Sequence, residues 1–201
     1  MTETSSKREK QKEERRKQIL EAALTVFSQK GFHATNVSDV AAQAGVSQGT
    51  IYWYFESKED LFTAALLSFF EDFGQEMVAT LDACESASEK LHALGKTMED
   101  FAEGAAGMLM LFLGYWASTP NREEVGRFWV NLLIEFRDTL AGIIEEGVRN
   151  GEFKPVDADS VGWALMAAYD GLAAYVMLIP DMDLGKVNRT FVEVLLSGLQ
   201  D

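Results

Sequence analysis

Two short helical segments with a glycine between them can be recognised within residues 35–58 of this chain. The pattern predicts one helix over Val37–Ala44 and a second over Gln48–Tyr54, with the turn at Gly45. Glycine tolerates the positive φ that such a tight turn requires. Ala41 is small enough to let the two helices cross closely. This arrangement indicates a helix-turn-helix.

Local signals predict where the neighbouring helices begin and end. Thr35 or Asn36 can cap the first short helix, Ser47 caps the second, and Ser57 caps the helix that follows. Upstream, an apolar stripe at helical spacing predicts a longer helix that ends at Gly31 in the αL conformation. The stripe consists of Ile19, Ala22, Ala23, Val26 and Phe27.

The first turn of the second short helix points outward in this architecture, as a reader of the major groove must. It carries Ser47, Gln48, Gly49 and Thr50. A glutamine amide can make paired hydrogen bonds to adenine, and hydroxyls can bond a base or a phosphate. Gly49 allows close approach to DNA because it has no side chain. Lys58 is expected to bind a phosphate together with the backbone amides at the head of the next helix.

Three consecutive aromatic residues, Tyr52, Trp53 and Tyr54, follow this turn. Their polar atoms can reach phosphate oxygens, which is one interpretation; the other is that the segment is aromatic core. Ile51 and Phe55 are four residues apart and are expected to pack inward. Three adjacent side chains of a helix cannot all point the same way, so at least one is exposed.

The distribution of charge supports a nucleic-acid partner, although the whole chain has a net charge of −14. Residues 1–60 hold nine basic and nine acidic residues, so all the excess negative charge lies in residues 61–201. Seven of the nine basic residues fall between Lys7 and Lys17. This asymmetry is typical of a DNA-binding head on an acidic body, whereas the alternative is a solvated helical arm.

The rest of the chain predicts an all-α protein of about nine helices, because no period-2 run of strand formers occurs. After a fourth helix that ends near Asp82, five more are predicted over roughly 87–103, 105–118, 122–150, 158–178 and 184–199. We expect a helix-turn-helix domain over residues 1–60 and a helical-bundle domain over 61–201.

Residues 15–65 closely resemble the TetR family of transcriptional regulators. The resemblance is carried by Gly31-Phe32, Thr35, the run Ala41–Ser47, the run Gly49–Phe55 and the run Lys58–Leu61. It implies that the following residues contact DNA: Thr35, Ser47, Gln48, Gly49, Thr50, Tyr52, Trp53, Tyr54 and Lys58. Of these, Gln48, Gly49 and Thr50 match base-reading positions, and the others match mainly phosphate contacts. The basic arm matches a segment that in some members touches flanking DNA.

The resemblance also implies a homodimer, formed by the last two helices, that binds a palindromic operator. These helices carry small residues suited to close packing, among them Gly162, Gly171 and Gly198. The implied function is a repressor that a hydrophobic or aromatic effector releases from DNA. Transcriptional activation, or ligand binding by a protein with vestigial DNA binding, is the alternative.

The middle helices are rich in aromatic and methionine side chains, which form either an ordinary core or an apolar effector pocket. The residues expected at such a pocket are Phe112, Trp116, Trp129, Trp163, Met166, Tyr169 and Asp170. Asp170 interrupts an apolar helix and needs a partner, which is a neighbouring helix, the dimer mate or a polar group of the ligand.

Several other functions are disfavoured. We find no phosphate-binding glycine loop, no nucleophile-and-base set and no metal-ligand spacing, so neither an enzyme nor a cofactor or metal site is expected. The single cysteine, Cys84, is typical of a reducing cytoplasm. A membrane span is not expected, since the longest apolar stretch, Trp163 to Pro180, contains Asp170.

Overall fold

The computed structural model describes the backbone of residues 3–179 and 181–200, and the side chains of residues 8–102, 104, 107–179 and 181–200. Lys7, the first residue of the basic run, and Pro180 lie outside the residues whose side chains are described. The described backbone contains helices and turns and no strand, which confirms the all-α prediction. The helices are α1 Glu3–Ala34, α2 Val37–Ala44, α3 Gln48–Tyr54, α4 Lys58–Asp82, α5 Ala87–Ser118, α6 Arg122–Asn150, α7 Ala158–Leu178 and α8 Leu184–Leu199.

Helix α1 is two helices joined across a kink at Gly31, so these described residues contain nine helical segments. Gly31 has φ 75° and ψ 164°. The predicted break is therefore present, but the conformation is a different positive-φ region that is essentially restricted to glycine, and not αL. Gly45 does adopt αL, with φ 63° and ψ 35°, which confirms the predicted turn.

The predicted division between residues 103 and 105 is wrong, because α5 continues as one helix from Ala87 to Ser118. Gly104 suggested a break. A glycine inside a helix costs only about 1 kcal/mol relative to alanine, and the two alanines after Gly104 are the strongest helix formers. A long helix packed along its length absorbs that cost.

The observed helix caps settle an alternative that the sequence left open. Asn36 is the N-cap of α2, and its backbone N–H donates to Asp39 Oδ2 over 2.9 Å. This bond, together with one from Lys30, lowers the pKa of the Asp39 carboxyl. Ser47 caps α3 as predicted, since its Oγ accepts the Thr50 N–H over 3.1 Å. Ser57 Oγ likewise accepts a backbone N–H at the start of α4.

The chain divides into two compact units, and α4 and α5 each contribute residues to both. The first unit takes the chain up to Gly74 together with Met110–Ala117 of α5, and the second holds the rest. These units do not follow a cut at residue 60, because residues 61–74 and the end of α5 cluster with α1 to α3. The predicted functional domains, 1–60 and 61–201, stay a prediction.

An aromatic cluster fills the core of the first unit. Its members are Phe27, Phe32, Phe62 and Tyr115, all buried. The Phe62 ring centroid lies 5.0 Å from those of Phe27 and Phe32, and 4.7 Å from that of Tyr115. Tyr115 also lies 4.5 Å from Phe32. The cluster joins α1, α4 and α5, and its member Phe27 belongs to the apolar stripe of α1 that the sequence predicted.

In the second unit α6 and α7 pack closely. A Cβ at Gly162 would lie 3.1 Å from the Arg137 backbone oxygen, so this glycine serves the contact between α6 and α7. The Arg137 guanidinium lies 5.6 Å from the Trp163 ring centroid and forms a salt bridge with Asp159. Much of α7 nevertheless stays uncovered. It is long and apolar enough to cross a membrane by length and composition, but only 17% of its most apolar window is buried in the single chain.

Candidate nucleic-acid interface

The N-terminal turn of α3 is presented to solvent by a rigid local framework. Ile51 is buried and anchors the helix, while Ser47, Gln48 and Gly49 are exposed. Thr50 is half-buried, and its hydroxyl lies 2.8 Å from Ser47 Oγ. The hydroxyl pair and the exposed amide therefore project from a helix whose opposite side is fixed in the core.

The protein itself does not require a glycine at position 49. A Cβ at Gly49 would meet only Ser47 Oγ, at the ordinary contact distance of 3.7 Å. Alanine would also be the better helix former at this position. The space over Gly49 is open, which suits the close approach of another molecule.

The aromatic residues behind this turn divide between core and surface. Ile51 and Phe55 are buried, as predicted, whereas Tyr52 is 51% and Trp53 66% exposed. Tyr54 is half-buried, and its Oη donates to the Lys12 backbone oxygen over 3.2 Å. The aromatic-core interpretation thus holds for two residues of the segment, and Tyr52 and Trp53 are available to a partner.

Thr35 has a structural role in this fold. Its side chain is fully buried, at 0% exposure, and its hydroxyl donates to the Gly31 backbone oxygen over 2.8 Å. With no exposed surface, this side chain cannot meet a phosphate in the conformation observed. Its hydrogen bond instead closes the turn between α1 and α2.

Lys58 is also engaged within the protein. Its Nζ donates to the backbone oxygens of Phe32 and Thr35, both over 2.9 Å, and lies 4.4 Å from the Phe32 ring centroid. An ammonium has three donors, so one remains for a phosphate. The structure adds a role that the sequence did not indicate, which is to tie the start of α4 to the turn between α1 and α2.

A large polar groove runs between the first part of α1 and the N-terminal turn of α3, with a volume of about 990 Å³. On the α3 side it is lined by Ser47, Gly49, Thr50, Trp53 and Tyr54. On the α1 side it is lined by Arg8, Gln11, Lys12, Glu14, Arg15 and Gln18. Gly49 and Thr50, two of the three predicted base-reading residues, therefore share one open surface with the basic arm, whereas Gln48 is not among the lining residues.

The predicted effector residues are divided between the two compact units. Phe112 and Trp116 belong to the first unit, and the other five belong to the second. Phe112 is buried and Trp116 exposed, while Trp129, Met166 and Tyr169 are half-buried and Trp163 is exposed. None of them lines the groove just described or a smaller cavity of about 190 Å³ beside His92 and Asn188. Their role in binding an effector stays a prediction.

Tyr169 and Asp170 lie next to each other on α7. The Tyr169 ring packs edge-on against Phe191 of α8, and burial raises the pKa of Tyr169 to about 12. Asp170 keeps solvent-exposed surface in the single chain, but burial of its carboxyl among neighbouring groups raises its pKa. Among the described residues we find no hydrogen-bond partner for this carboxyl.

Sequence reasoning missed two features. Tyr115 stood among many apolar residues of α5, and nothing local marks it as part of the first unit. Lys12 was treated only as one member of a basic run. The spacing of Arg8, Lys12 and Arg15 was the available signal, since it places them on one face of a helix.

Known proteins resemble this chain in sequence. The profile of bacterial regulatory proteins of the tetR family matches residues 19–65. The fatty acid metabolism regulator protein of Bacillus subtilis (strain 168) is 28% identical over 194 residues, which cover 96% of this chain and 99% of that protein. The transcriptional repressor KstR2 of Rhodococcus jostii (strain RHA1) is 29% identical over 141 residues, covering 70% of this chain and 68% of KstR2.

Solved structures share the fold along most of the chain. The crystal structure of the regulator FadR from Bacillus subtilis in complex with stearoyl-CoA has a TM-score of 0.76 and 28% identity, covering 91% of this chain and 98% of that one. These proteins are named as regulators or repressors. The profile match coincides with the residues that build the α1 to α3 framework, and the wider similarity spans both compact units. Residues 19–65 therefore belong to the TetR family of bacterial regulatory proteins, and the chain along nearly its whole length is similar to transcriptional regulators.

Proposed function

We propose that this regulator is a homodimeric, cytoplasmic repressor without catalytic activity, which a hydrophobic small molecule releases from a palindromic operator. The observation that carries the proposal is the exposed N-terminal turn of α3 on a buried anchor. The Gln48 amide has no hydrogen-bond partner among the described residues, so it is free to bond adenine. Ser47 and Thr50 present hydroxyls beside it.

The dimer is proposed from the uncovered apolar surface of the last two helices. Tyr175, Met177 and Leu178 on α7 and Val194 on α8 are exposed in the single chain, Leu178 by as much as 74%. A Cβ at Gly171 or Gly198 would meet no atom within 4 Å, so the backbone is open to close approach there. A soluble protein rarely leaves so apolar a helix in water. A second copy of the chain covers this apolar surface and also packs against the Asp170 side chain.

A charged residue on this surface should abolish the dimer. We expect Leu178→Asp and Val194→Asp together to give a monomer at micromolar concentration, because two carboxylates would be desolvated in each protomer. Sedimentation velocity measures the change. The matched control is Val78→Asp on α4, where valine is similarly exposed, and this variant should remain a dimer. A double variant that stays dimeric would show that α7 and α8 do not form the interface.

Dimerisation explains how the operator is read. A two-fold axis places two copies of α3 about 34–36 Å apart, one turn of DNA, so that each copy reads the same half-site. Helices α4 and α5 each contribute residues to both compact units. An effector that binds more tightly to a conformation with a different spacing of the α3 helices shifts the population away from DNA.

The effector class is proposed from the similarity to the Bacillus subtilis regulator that was crystallised with stearoyl-CoA, a long-chain acyl thioester. The middle helices of this chain supply aromatic and methionine side chains suited to an acyl chain. We propose Trp129, Trp163, Met166, Tyr169 and Asp170, together with Phe112 and Trp116, as the first residues to test for contact with it.

Selection of random duplex DNA by the purified full-length protein tests this function. We expect enrichment of a palindrome, loss of the bound DNA when stearoyl-CoA is added, and no loss with free coenzyme A. Absence of enrichment would contradict the DNA-binding role. An enriched site that stearoyl-CoA leaves bound would contradict the effector class only. A reporter placed behind the enriched site separates repression from activation by the direction of the change.

A further inference from the structure

We propose that the cavity between α5 and α8 binds a small zwitterion, an α-amino acid with a short side chain. The cavity has a volume of about 190 Å³ and lies within the second compact unit. The residues predicted to bind the effector are not among those that line it, so the proposal does not depend on the effector class. The lining consists of His92, Lys96 and Glu99 of α5 and Asn188, Arg189 and Val192 of α8.

The α5 wall of this cavity is one face of the helix. Residues 92, 96 and 99 follow helical spacing, and Gly95 lies between them on the same face. A Cβ at Gly95 would lie only 2.9 Å from Val192 Cγ2, and 3.3 Å from both polar atoms of the Asn188 amide. The missing side chain therefore lets α8 approach α5 and place an amide among the polar side chains of this face.

Asn188 is the buried polar residue of the lining. It is 4% exposed, and its Nδ2 donates to the Gly95 backbone oxygen over 2.7 Å, which fixes the orientation of the amide. Its Oδ1 is buried and has no hydrogen-bond partner among the described residues. A buried acceptor without a donor is costly, so native proteins rarely keep one without a reason. The ammonium of a bound amino acid supplies a donor at this place.

Two opposite charges lie close together at the cavity without bonding each other. A Cβ at Gly185, in the first turn of α8, would lie 2.8 Å from Glu99 Oε1 and 3.1 Å from Arg189 Nη1. Among the described residues, neither side chain has a hydrogen bond or a salt bridge. A guanidinium pairs with a carboxylate through two parallel hydrogen bonds, and a carboxylate accepts from an ammonium. The pair therefore matches a ligand that carries both charges.

The remaining cation of the lining is already compensated. Lys96 Nζ lies 2.6 Å from Asp100 Oδ1, so its charge is balanced within α5. One positive and one negative group are then left for a ligand, and these are Arg189 and Glu99. A zwitterion thus fits the lining better than a simple anion, which Glu99 would repel, or a simple cation, which Arg189 would repel.

Calorimetric titration of the full-length protein tests this site. The probes are glycine, L-alanine and L-serine, each titrated separately. Propionate, which lacks the ammonium, and ethylamine, which lacks the carboxylate, are the matched control ligands. We expect saturable binding of at least one amino acid, and binding of each control ligand weaker by at least about tenfold, because one charge-assisted set of hydrogen bonds is lost.

Charge-removing variants locate the binding. Arg189→Gln and Glu99→Gln should each weaken binding of the amino acid by at least about tenfold. Lys186→Gln and Glu193→Gln are the controls, since they remove the same charges from exposed positions of α8 outside the lining, and both should bind as the wild type does. Thermal melting of each variant checks that the fold is retained.

Three results would overturn the proposal. Absence of binding of all three amino acids up to their highest soluble concentration would show that the cavity takes no such ligand. Equal affinity for propionate and L-alanine would show an anion site that ignores the ammonium. Equal effects of the lining and control variants would show diffuse electrostatics or binding elsewhere. Operator binding and its response to stearoyl-CoA are separate measurements, so failure here leaves the proposed function standing.

Discussion

Phe62→Ala is expected to lower the free energy of unfolding of the first unit by about 3–5 kcal/mol. Phe62 is buried, and its ring packs against three other rings of the aromatic cluster, from Phe27, Phe32 and Tyr115. Alanine leaves a cavity that helices α1, α4 and α5 cannot close without moving. Urea denaturation followed by tryptophan fluorescence measures the change, since Trp53 and Trp116 lie in this unit.

Phe62→Leu is the control for this prediction. Leucine keeps most of the buried volume, so we expect a loss of about 1–1.5 kcal/mol. A loss below about 1 kcal/mol for the alanine variant would show that the cluster does not organise the core. If both variants lose the same amount, retained apolar volume does not help, and the aromatic ring itself is what the cluster requires.

The second large effect is expected on DNA. Gln48→Ala combined with Thr50→Ala should weaken binding to the selected operator by about 2–6 kcal/mol, because the paired base contact of Gln48 is worth about 1–3 kcal/mol and occurs once in each half-site. Both side chains lie on the open turn of α3, so the fold should be unaffected. Titration of labelled duplex gives the dissociation constants on the operator and on a random duplex.

Binding to the random duplex shows whether these two side chains read bases. The double variant should bind the random duplex as the wild type does, because phosphate contacts are retained. Gln29→Ala, an exposed glutamine of α1 outside the groove, serves as a control and should bind both duplexes normally. An equal loss on both duplexes would mean that Gln48 and Thr50 support general affinity and do not read bases.

The features that the sequence predicted well are those with local causes. The helix starts at Ser47 and Ser57 and the turn at Gly45 depend on residues within one turn of each other, and the structure confirms them. The burial of Ile51 and Phe55 follows from their spacing alone. Local information also misled at Gly104, which is a break only in the absence of packing along α5, and at Gly31, whose conformation is not αL.

The features that the sequence could not predict depend on residues far apart in the chain. Lys58 bonds carbonyls of residues more than twenty positions away, and Tyr54 bonds Lys12 across 42 positions. A family motif marks such residues as shared among relatives, but does not say whether a side chain faces DNA or the protein. The buried hydroxyl of Thr35 illustrates the difference.

The position of Tyr115 in the aromatic cluster limits which segments can be exchanged between regulators to transfer DNA recognition. A transplant of residues 1–60 alone would leave Phe32 without the rings of Phe62 and Tyr115, and would open the core on two sides. The compact unit that carries the DNA-recognition helix is therefore discontinuous in sequence, since it runs up to Gly74 and includes Met110–Ala117. Substitutions that adapt α5 to a new effector must leave room for that ring, which limits how freely sensing and DNA recognition can diverge.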